Sequence, residues 1–264
     1  MMQFVANLVA DAGQLLRDRF GRVQNVRRKE NVSSIVTDVD LASEALILDR
    51  IRQTFPDHNI VAEESGFEDH ASDWTWVVDP LDGTSNYAAG IPWYGVMVAA
   101  MKDARPVLAA MYLPHDRALY LAEPGKGATR NDQDIHVTSS VQLDHALIAY
   151  AVDSSRDPDQ TRDQVLGFGR LLNHVRNVRA TNCLVDFALT SDGRLGGCIN
   201  YSTKIWDIAA ATLVLEEAGG RMTNLDGTPL DFSLGADVCE RTYAVMGANP
   251  ALHSRLLELL TDVS

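Results

Sequence analysis

TWVVDPLDGTSN, residues 75–86, changes character twice: an apolar run ends at Asp79, Pro80 and a second aspartate, Asp82, follow, and then come Gly83, Thr84, Ser85 and Asn86. Pro80 has no N–H to give to a sheet ladder, so the run predicts a strand that stops there and turns. Asp79 and Asp82 then flank a tight bend, a geometry in which one carboxylate touches two cations while the other closes around the second. A turn rich in Asp, Pro and Gly is also ordinary in itself, and these two acids alone leave both readings open. The small residues after Asp82 favour a helix start, and unpaired N–H groups at such a start form a positive end that binds phosphate.

Further carboxylates weigh on the same question. VAEES (61–65) places Glu63 and Glu64 after a short apolar strand, NIVA, and VTDVD (36–40) places Asp38 and Asp40 before a helix, where Asp40 reads as an N-cap. IWDIAAA (205–211) puts Asp207 at another helix start, which capping also explains. Each ordinary reading must hold at once for the acids to be unrelated. Clustered carboxylates without Lys or Arg partners repel one another and raise their own pKa values, and a cation is the natural way to keep them ionised. Oxygen ligands without His or Cys select a hard ion, which in a cell is Mg²⁺.

Working outward, Phe4, Val5, Leu8, Val9, Ala12, Leu15, Leu16 and Phe20 recur at helical spacing up to Gly21, and Leu41, Ala45, Leu48 and Phe55 predict a second helix closed by Pro56. YGVMVAAM (94–101), PVLAAMYL (106–113) and ALYLAE (118–123) read as sheet, and GKGATRNDQDIHV (125–137) as a hairpin leading out of it. Beyond it, ALIAYAV (146–152) and TYAVMGA (242–248) read as strands. TRDQVLGFGRLLNHV (161–175), LVDFALTS (184–191), the run from Ile205 to Gly220 and NPALHSRLLELL (249–260) read as helices, the last capped by Asn249. The expected organisation is two α/β layers sharing an interface: 1–140, an α+β half carrying most of the acids, and 141–264, an α/β half carrying Asp207.

Bulk composition sets the class. Of 264 residues, 46% are apolar and 22% charged, which marks a folded globular chain. A net charge of −13 argues against a nucleic-acid partner, and the short basic cluster Arg27-Arg28-Lys29 reads as a solvated loop. Cys183, Cys198 and Cys239 lack metal-site or disulfide spacing. No signal-peptide pattern opens the chain and no apolar run is long enough for a membrane, so a cytoplasmic protein is expected.

DPLDGTSN, with VTDVD, AEES and WDIAAATLVLEEAGG, closely resembles the inositol monophosphatase family of Mg²⁺-dependent phosphatases, four motifs in the family's order and spacing over most of the chain. The resemblance implies a layered αβαβα sandwich of the inositol monophosphatase and fructose-1,6-bisphosphatase type, a homodimer, and a site for two or three Mg²⁺ ions. It implies that Glu63, Asp79, the Leu81 carbonyl, Asp82 and Asp207 hold metal, that the Gly83 and Thr84 amides hold phosphate, and that Asp40 and the Thr84 hydroxyl orient or activate the attacking water. Lys29 matches a family lysine near the phosphate.

The sequence also departs from the pattern. Inositol-specific members carry a glutamate seven positions before the last metal aspartate, where this chain has Asn200, and RATNC (179–183) replaces a smaller stretch. VDSSR (152–156), with Asp153, Ser154, Ser155 and Arg156, matches a segment lining the alcohol pocket, and Arg156 or Arg179 is a candidate for a second phosphate or a carboxylate on the substrate. Trp93 and Tyr94 read as core or interface, and Met97, Met101 and Met111 as core filling. Two function classes follow. One is a phosphatase acting on a small phosphorylated metabolite such as inositol, histidinol or sugar phosphate, a sugar bisphosphate or adenosine 3′,5′-bisphosphate. The other is a non-catalytic regulatory protein on the same fold, since some bacterial relatives are thought to act in transcription complexes.

Overall fold

The structure, a computed structural model, describes residues 1–22, 26–28, 35–153, 157–235 and 237–261. In the first half the chain forms α1 (Met2–Arg19), β1 (Arg27–Arg28), β2 (Ile35–Val36), α2 (Asp38–Thr54), β3 (Asn59–Ala62), β4 (Gly66–Glu68) and β5 (Trp74–Asp82). The short helix α3 (Thr84–Ala88) precedes β6 (Gly95–Lys102), β7 (Arg105–Leu113), β8 (Ala118–Ala122), β9 (Ala128–Arg130) and β10 (Gln133–Ile135). The second half comprises β11 (Leu147–Ala151), α4 (Pro158–Leu172), β12 (Asn177–Arg179), α5 (Leu184–Ser191), β13 (Gly197–Thr203) and α6 (Ile205–Glu217). It ends with β14 (Arg221–Asn224), β15 (Tyr243–Ala248) and α7 (Pro250–Thr261).

Two sheets carry the architecture: an eight-stranded one ordered β10-β9-β8-β7-β6-β5-β3-β4 and a five-stranded one ordered β12-β11-β13-β15-β14. The central strands β3, β5 and β6 of the large sheet are buried on both faces and therefore read as near-continuous apolar runs rather than alternating ones. Successive residues of β5 still point oppositely. Trp76 and Val78 pack with Val5, Leu8 and Leu16 of α1 and Val39, Ile47 and Ile51 of α2. Val77 joins Met97, Met111 and the inner helices α5 and α6, whose Leu184, Ala188, Ile208 and Leu215 also meet Ala149, Cys198 and Val245 of the small sheet. The outer face of the small sheet is covered by Leu171 of α4 and Leu252 and Leu256 of α7, packed on Ile148, Tyr150 and Met246. The order is helices, sheet, helices, sheet, helices, the αβαβα sandwich the resemblance implies.

Three local readings of the sequence are corrected. β5 does not stop at Pro80: it pairs with β6 at Asp79↔Met97 and again at Asp82↔Gly95, with a bulge between that absorbs the missing N–H. Asp40 is not an N-cap. Thr37 caps α2 and Asp40 is the third helical residue, closing a reciprocal capping box on the Thr37 backbone. Arg27 and Arg28 form a short antiparallel ladder with Ile35 and Val36 rather than a loop. The central strand β13, GCINYST, has no strand reading in the sequence because its Gly, Asn and Ser residues carry little β-propensity. Its close packing explains the glycine, since a β-carbon on Gly197 would lie 3.0 Å from the Gly247 carbonyl.

Candidate active site

The bulge at the end of β5 turns two buried acids into one cleft. Asp79 accepts a hydrogen bond from the Leu81 N–H at 3.0 Å, and Asp82 accepts one from the Leu184 N–H at 2.6 Å, at the first turn of α5. Asp207 enters from α6, where it is the third helical residue and accepts the Lys204 N–H at 2.7 Å. Each backbone donor fixes its carboxylate. Ligand oxygens of Asp79, Asp82 and Asp207 lie within 4.8 Å of one another, an arrangement able to hold a metal ion. Glu63, anchored by its N–H on the Val78 carbonyl at 3.2 Å, lines the same cleft.

The electrostatics of this wall are those of acids pressed together. Burial raises the Asp79 carboxyl well above the usual carboxylate range, and the neighbouring charges of Glu63, Asp82 and Asp207 push it further. Asp82 is raised by burial and by Asp207. Asp207 is pushed up to about 6, chiefly by burial. A divalent cation offsets this repulsion, and oxygen-only donors of this kind suit Mg²⁺.

Beside the acids, Gly83 caps α3 at φ 82°. That left-handed conformation suits glycine, and a β-carbon there would also sit 2.6 Å from the Trp93 carbonyl. The Thr84 hydroxyl lies 2.9 Å from Asp40 Oδ1 and 2.9 Å from the Leu81 carbonyl. Asp40 is fully buried and sits behind Thr84 rather than in the cleft wall, its carboxyl raised by burial. Asn86 donates to the Thr181 carbonyl at 2.8 Å, tying this loop to the opposite wall. Thr181 in turn donates to Asp186 at 2.8 Å, an acid that burial pushes up to about 6.

The cavity has a volume of about 420 Å³, and its far wall is formed by Val152, Asp153, Asn182, Asn200, Ser202 and Lys204. Parallel pairing of Ala151, the last residue of β11, with mid-strand Asn200 of β13 sets Asp153 just beyond the carboxyl end of β11, the usual place for a ligand in an α/β sheet. Asn200 accepts the Ser202 N–H at 3.0 Å. Arg179 does not reach the cavity: its exposed guanidinium turns back to the Val178 carbonyl at 2.8 Å. Lys29, Ser154 and Arg156 lie outside the described residues. Ser202 and Lys204 went unrecognised in the sequence, although their place just before Asp207 in CINYSTKIWD was the available signal. Trp93 is exposed, whereas Tyr94, Met97, Met101 and Met111 are core.

Five alternating layers around a cleft of converging carboxylates define a mixed α/β protein of the inositol monophosphatase type. The chain belongs to the inositol monophosphatase family, whose model matches residues 1–264. It is 34% identical to the fructose-1,6-bisphosphatase/inositol-1-monophosphatase of Aquifex aeolicus, over 97% of this chain and 93% of that protein. It is 30% identical to the Nus factor SuhB of Pasteurella multocida, over 86% of each chain. The crystal structure of the extragenic suppressor protein suhB of Bartonella henselae superposes with a TM-score of 0.90 at 25% identity, covering 100% of this chain and 99% of that one. Among the described residues no helix is long and apolar enough to cross a membrane.

Proposed function

We propose that the protein is a Mg²⁺-dependent phosphatase that hydrolyses a small phosphomonoester to its alcohol and inorganic phosphate. One observation carries the reading: Glu63 just after β3, Asp79 and Asp82 of β5 and, more than a hundred residues further on, Asp207 of α6 line one cleft beside the Gly83–Thr84 loop. Glu63, Asp79, the Leu81 carbonyl, Asp82 and Asp207 would hold the metal, which when bound supplies positive charge to the phosphoryl oxygens and acidifies water.

The chain's own groups do the positioning. The Gly83 and Thr84 amides orient the phosphate against the acid wall, and catalysis is mostly placement and charge stabilisation. The Thr84 hydroxyl, held by Asp40, orients the attacking water, and the Asp40 carboxyl, raised by burial, is the better base for it. No protein nucleophile is required: the Cys183 thiol in the cleft is pushed well above its usual range by burial and by Asp82, which keeps it protonated and unreactive.

The test is phosphate release from inositol phosphate, histidinol phosphate, fructose bisphosphate, adenosine 3′,5′-bisphosphate and 4-nitrophenyl phosphate, with Mg²⁺ and after chelation. Turnover that vanishes on chelation and returns with Mg²⁺ is the expected result, and metal-independent turnover or none on any substrate refutes it. The relative named Nus factor SuhB supports a second reading, a partner-binding role. The intact acid wall favours catalysis, because unpaired clustered carboxylates destabilise a fold that no longer binds metal.

A further inference from the structure

α2 packs against the large sheet with one face, and that face changes chemistry along its length. Past its midpoint it buries Ile47, Leu48 and Ile51, whereas the half nearest the cleft buries Asp40, Ser43 and Glu44. These three stand at positions i, i+3 and i+4 and therefore share one side of the helix. A helix face against a sheet is ordinarily apolar, since a buried polar group costs free energy unless it finds a partner. Each of the three has one, and each partner belongs to a different segment of the site. Asp40 meets the Thr84 hydroxyl, Ser43 the Pro80 carbonyl and Glu44 the Glu64 N–H.

The last two contacts act on the acid wall through a single peptide plane each. The Ser43 hydroxyl donates to the Pro80 carbonyl at 2.7 Å. The N–H of that same peptide unit, which is Leu81's, donates to Asp79 Oδ1 at 3.0 Å. A peptide unit is rigid, so the hydroxyl fixes the tilt of the donor that holds the Asp79 carboxylate, and a bond to the carbonyl also polarises the N–H. Glu44 serves Glu63 in the same way. Its Oε2 accepts the Glu64 N–H at 2.9 Å, in the peptide unit that carries the Glu63 carbonyl, while the Glu63 N–H is bonded to the Val78 carbonyl at 3.2 Å. Glu63 is thereby held at both of its peptide bonds, one by β5 and one by α2. Neither Ser43 nor Glu44 lines the cavity, so both act from behind it.

We propose that Ser43 and Glu44 are positioning residues of the metal site: from one side of α2 they set the orientation of the Asp79 and Glu63 carboxylates, and the affinity for the divalent ion depends on them. The assignment rests on the metal-dependent reading above. Groups that orient metal ligands without touching the ion contribute about 10–100-fold to its affinity.

The experiment uses Mn²⁺ as a spectroscopic stand-in for Mg²⁺ and reads its dissociation constant from the electron paramagnetic resonance signal of the free ion. The proteins are the wild type, Ser43→Ala, Glu44→Ala and Glu44→Gln, each also unfolded in urea without metal. Leu48→Ala, at the apolar end of the same helix face, controls for lost stability alone. Ser43→Ala and Glu44→Ala are expected to weaken Mn²⁺ binding by about tenfold or more, and the Mg²⁺ needed for half-maximal hydrolysis of 4-nitrophenyl phosphate should rise by a similar factor. Glu44→Gln keeps an oxygen that accepts the Glu64 N–H and is expected to bind within about threefold of the wild type. Leu48→Ala is expected to lose stability and to bind Mn²⁺ as the wild type does. An unchanged dissociation constant in either alanine variant removes that residue from the assignment, and a Glu44→Gln variant as weak as Glu44→Ala removes the hydrogen bond as its basis. A loss in Leu48→Ala equal to theirs reduces the effect to general loosening and overturns the whole. Binding and turnover are read separately: a wild type that binds Mn²⁺ but hydrolyses nothing refutes the phosphatase reading and leaves this assignment to the dissociation constants. If the wild type binds no Mn²⁺, both fall together.

Discussion

The two walls of the cleft are built on opposite physical principles. On the acid wall, Asp79, Asp82 and Asp207 are each pinned by a backbone N–H and crowd one another with carboxyls raised by burial. On the far wall, Asp153, Asn182, Asn200 and Ser202 are polar groups of mixed type, carried by β13 and by the loops that follow β11 and β12, with an acceptor left unsatisfied. A metal site demands a fixed donor set and tolerates little change, whereas an alcohol site has only to complement one of many possible leaving groups. On the proposed phosphatase reading, the first wall would carry the chemistry and the second would select the substrate.

Breaking the acid wall has the largest expected effect. Asp79→Asn should lower kcat by about 10³-fold or more, ~4 kcal/mol of transition-state stabilisation, with circular dichroism unchanged, and near-normal turnover would remove Asp79 from the site. The same variant reports on stability. The carboxyls of Asp79, Asp82 and Asp207 titrate above their unfolded values of ~3.9, so between that pH and about 6 the folded state binds more protons than the unfolded one. Stability of the metal-free protein then falls as pH rises through that window. Its Tm should be higher at pH 5.5 than at pH 7.5, Mg²⁺ should raise Tm more at pH 7.5 because metal and protons compete, and Asp79→Asn should flatten both dependences. A metal-free wild type that melts higher at pH 7.5 would show that these acids are not strained by one another.

An intermediate effect is expected at the phosphate loop, where the walls meet. Gly83→Ala forces a β-carbon into the 2.6 Å space before the Trp93 carbonyl at φ 82°, and a loss of ~1–3 kcal/mol in urea denaturation is expected. A stability within ~0.5 kcal/mol of the wild type would mean that the loop yields without strain. The smallest effect sharpens the alcohol wall. Asn200→Glu should shift kcat/KM several-fold toward polyol phosphates, since a carboxylate accepts several hydroxyl donors where the Asn200 carbonyl is already engaged by Ser202. An unchanged substrate profile would place Asn200 off the substrate.

Legibility in the sequence follows the same division. Asp79, Asp82, Gly83 and Thr84 sit within one short motif whose turn chemistry is local, so their proximity is readable from spacing alone. The depth of that site was not. Pro80 signalled a stop, yet flanking β3 and β6 hold the strand in register through a bulge, and tertiary pairing overrode a local rule. Asp40 shows the same limit. The capping pattern of VTDVD was visible, but Thr37 rather than Asp40 caps the helix, and the Asp40 role beside Thr84 depends on a contact 44 positions away. Arg179 lies off the cavity, on a short edge strand with its guanidinium bonded back to the Val178 carbonyl, which no spacing reports.

The sequence by itself determined the mixed α/β class, because helical and strand periodicity and turn-forming residues act over a few neighbours, and it displayed the acid motifs whose oxygen-only donors point to a hard cation and whose family resemblance implied the layered sandwich. Only the tertiary structure decided that Asp207 reaches Asp79 and Asp82, that Asp153 faces them from the far wall with an oxygen unpaired, and that Lys204 is already bound elsewhere. Those facts depend on which strand ends two sheets bring to one cleft, and long-range packing sets that convergence.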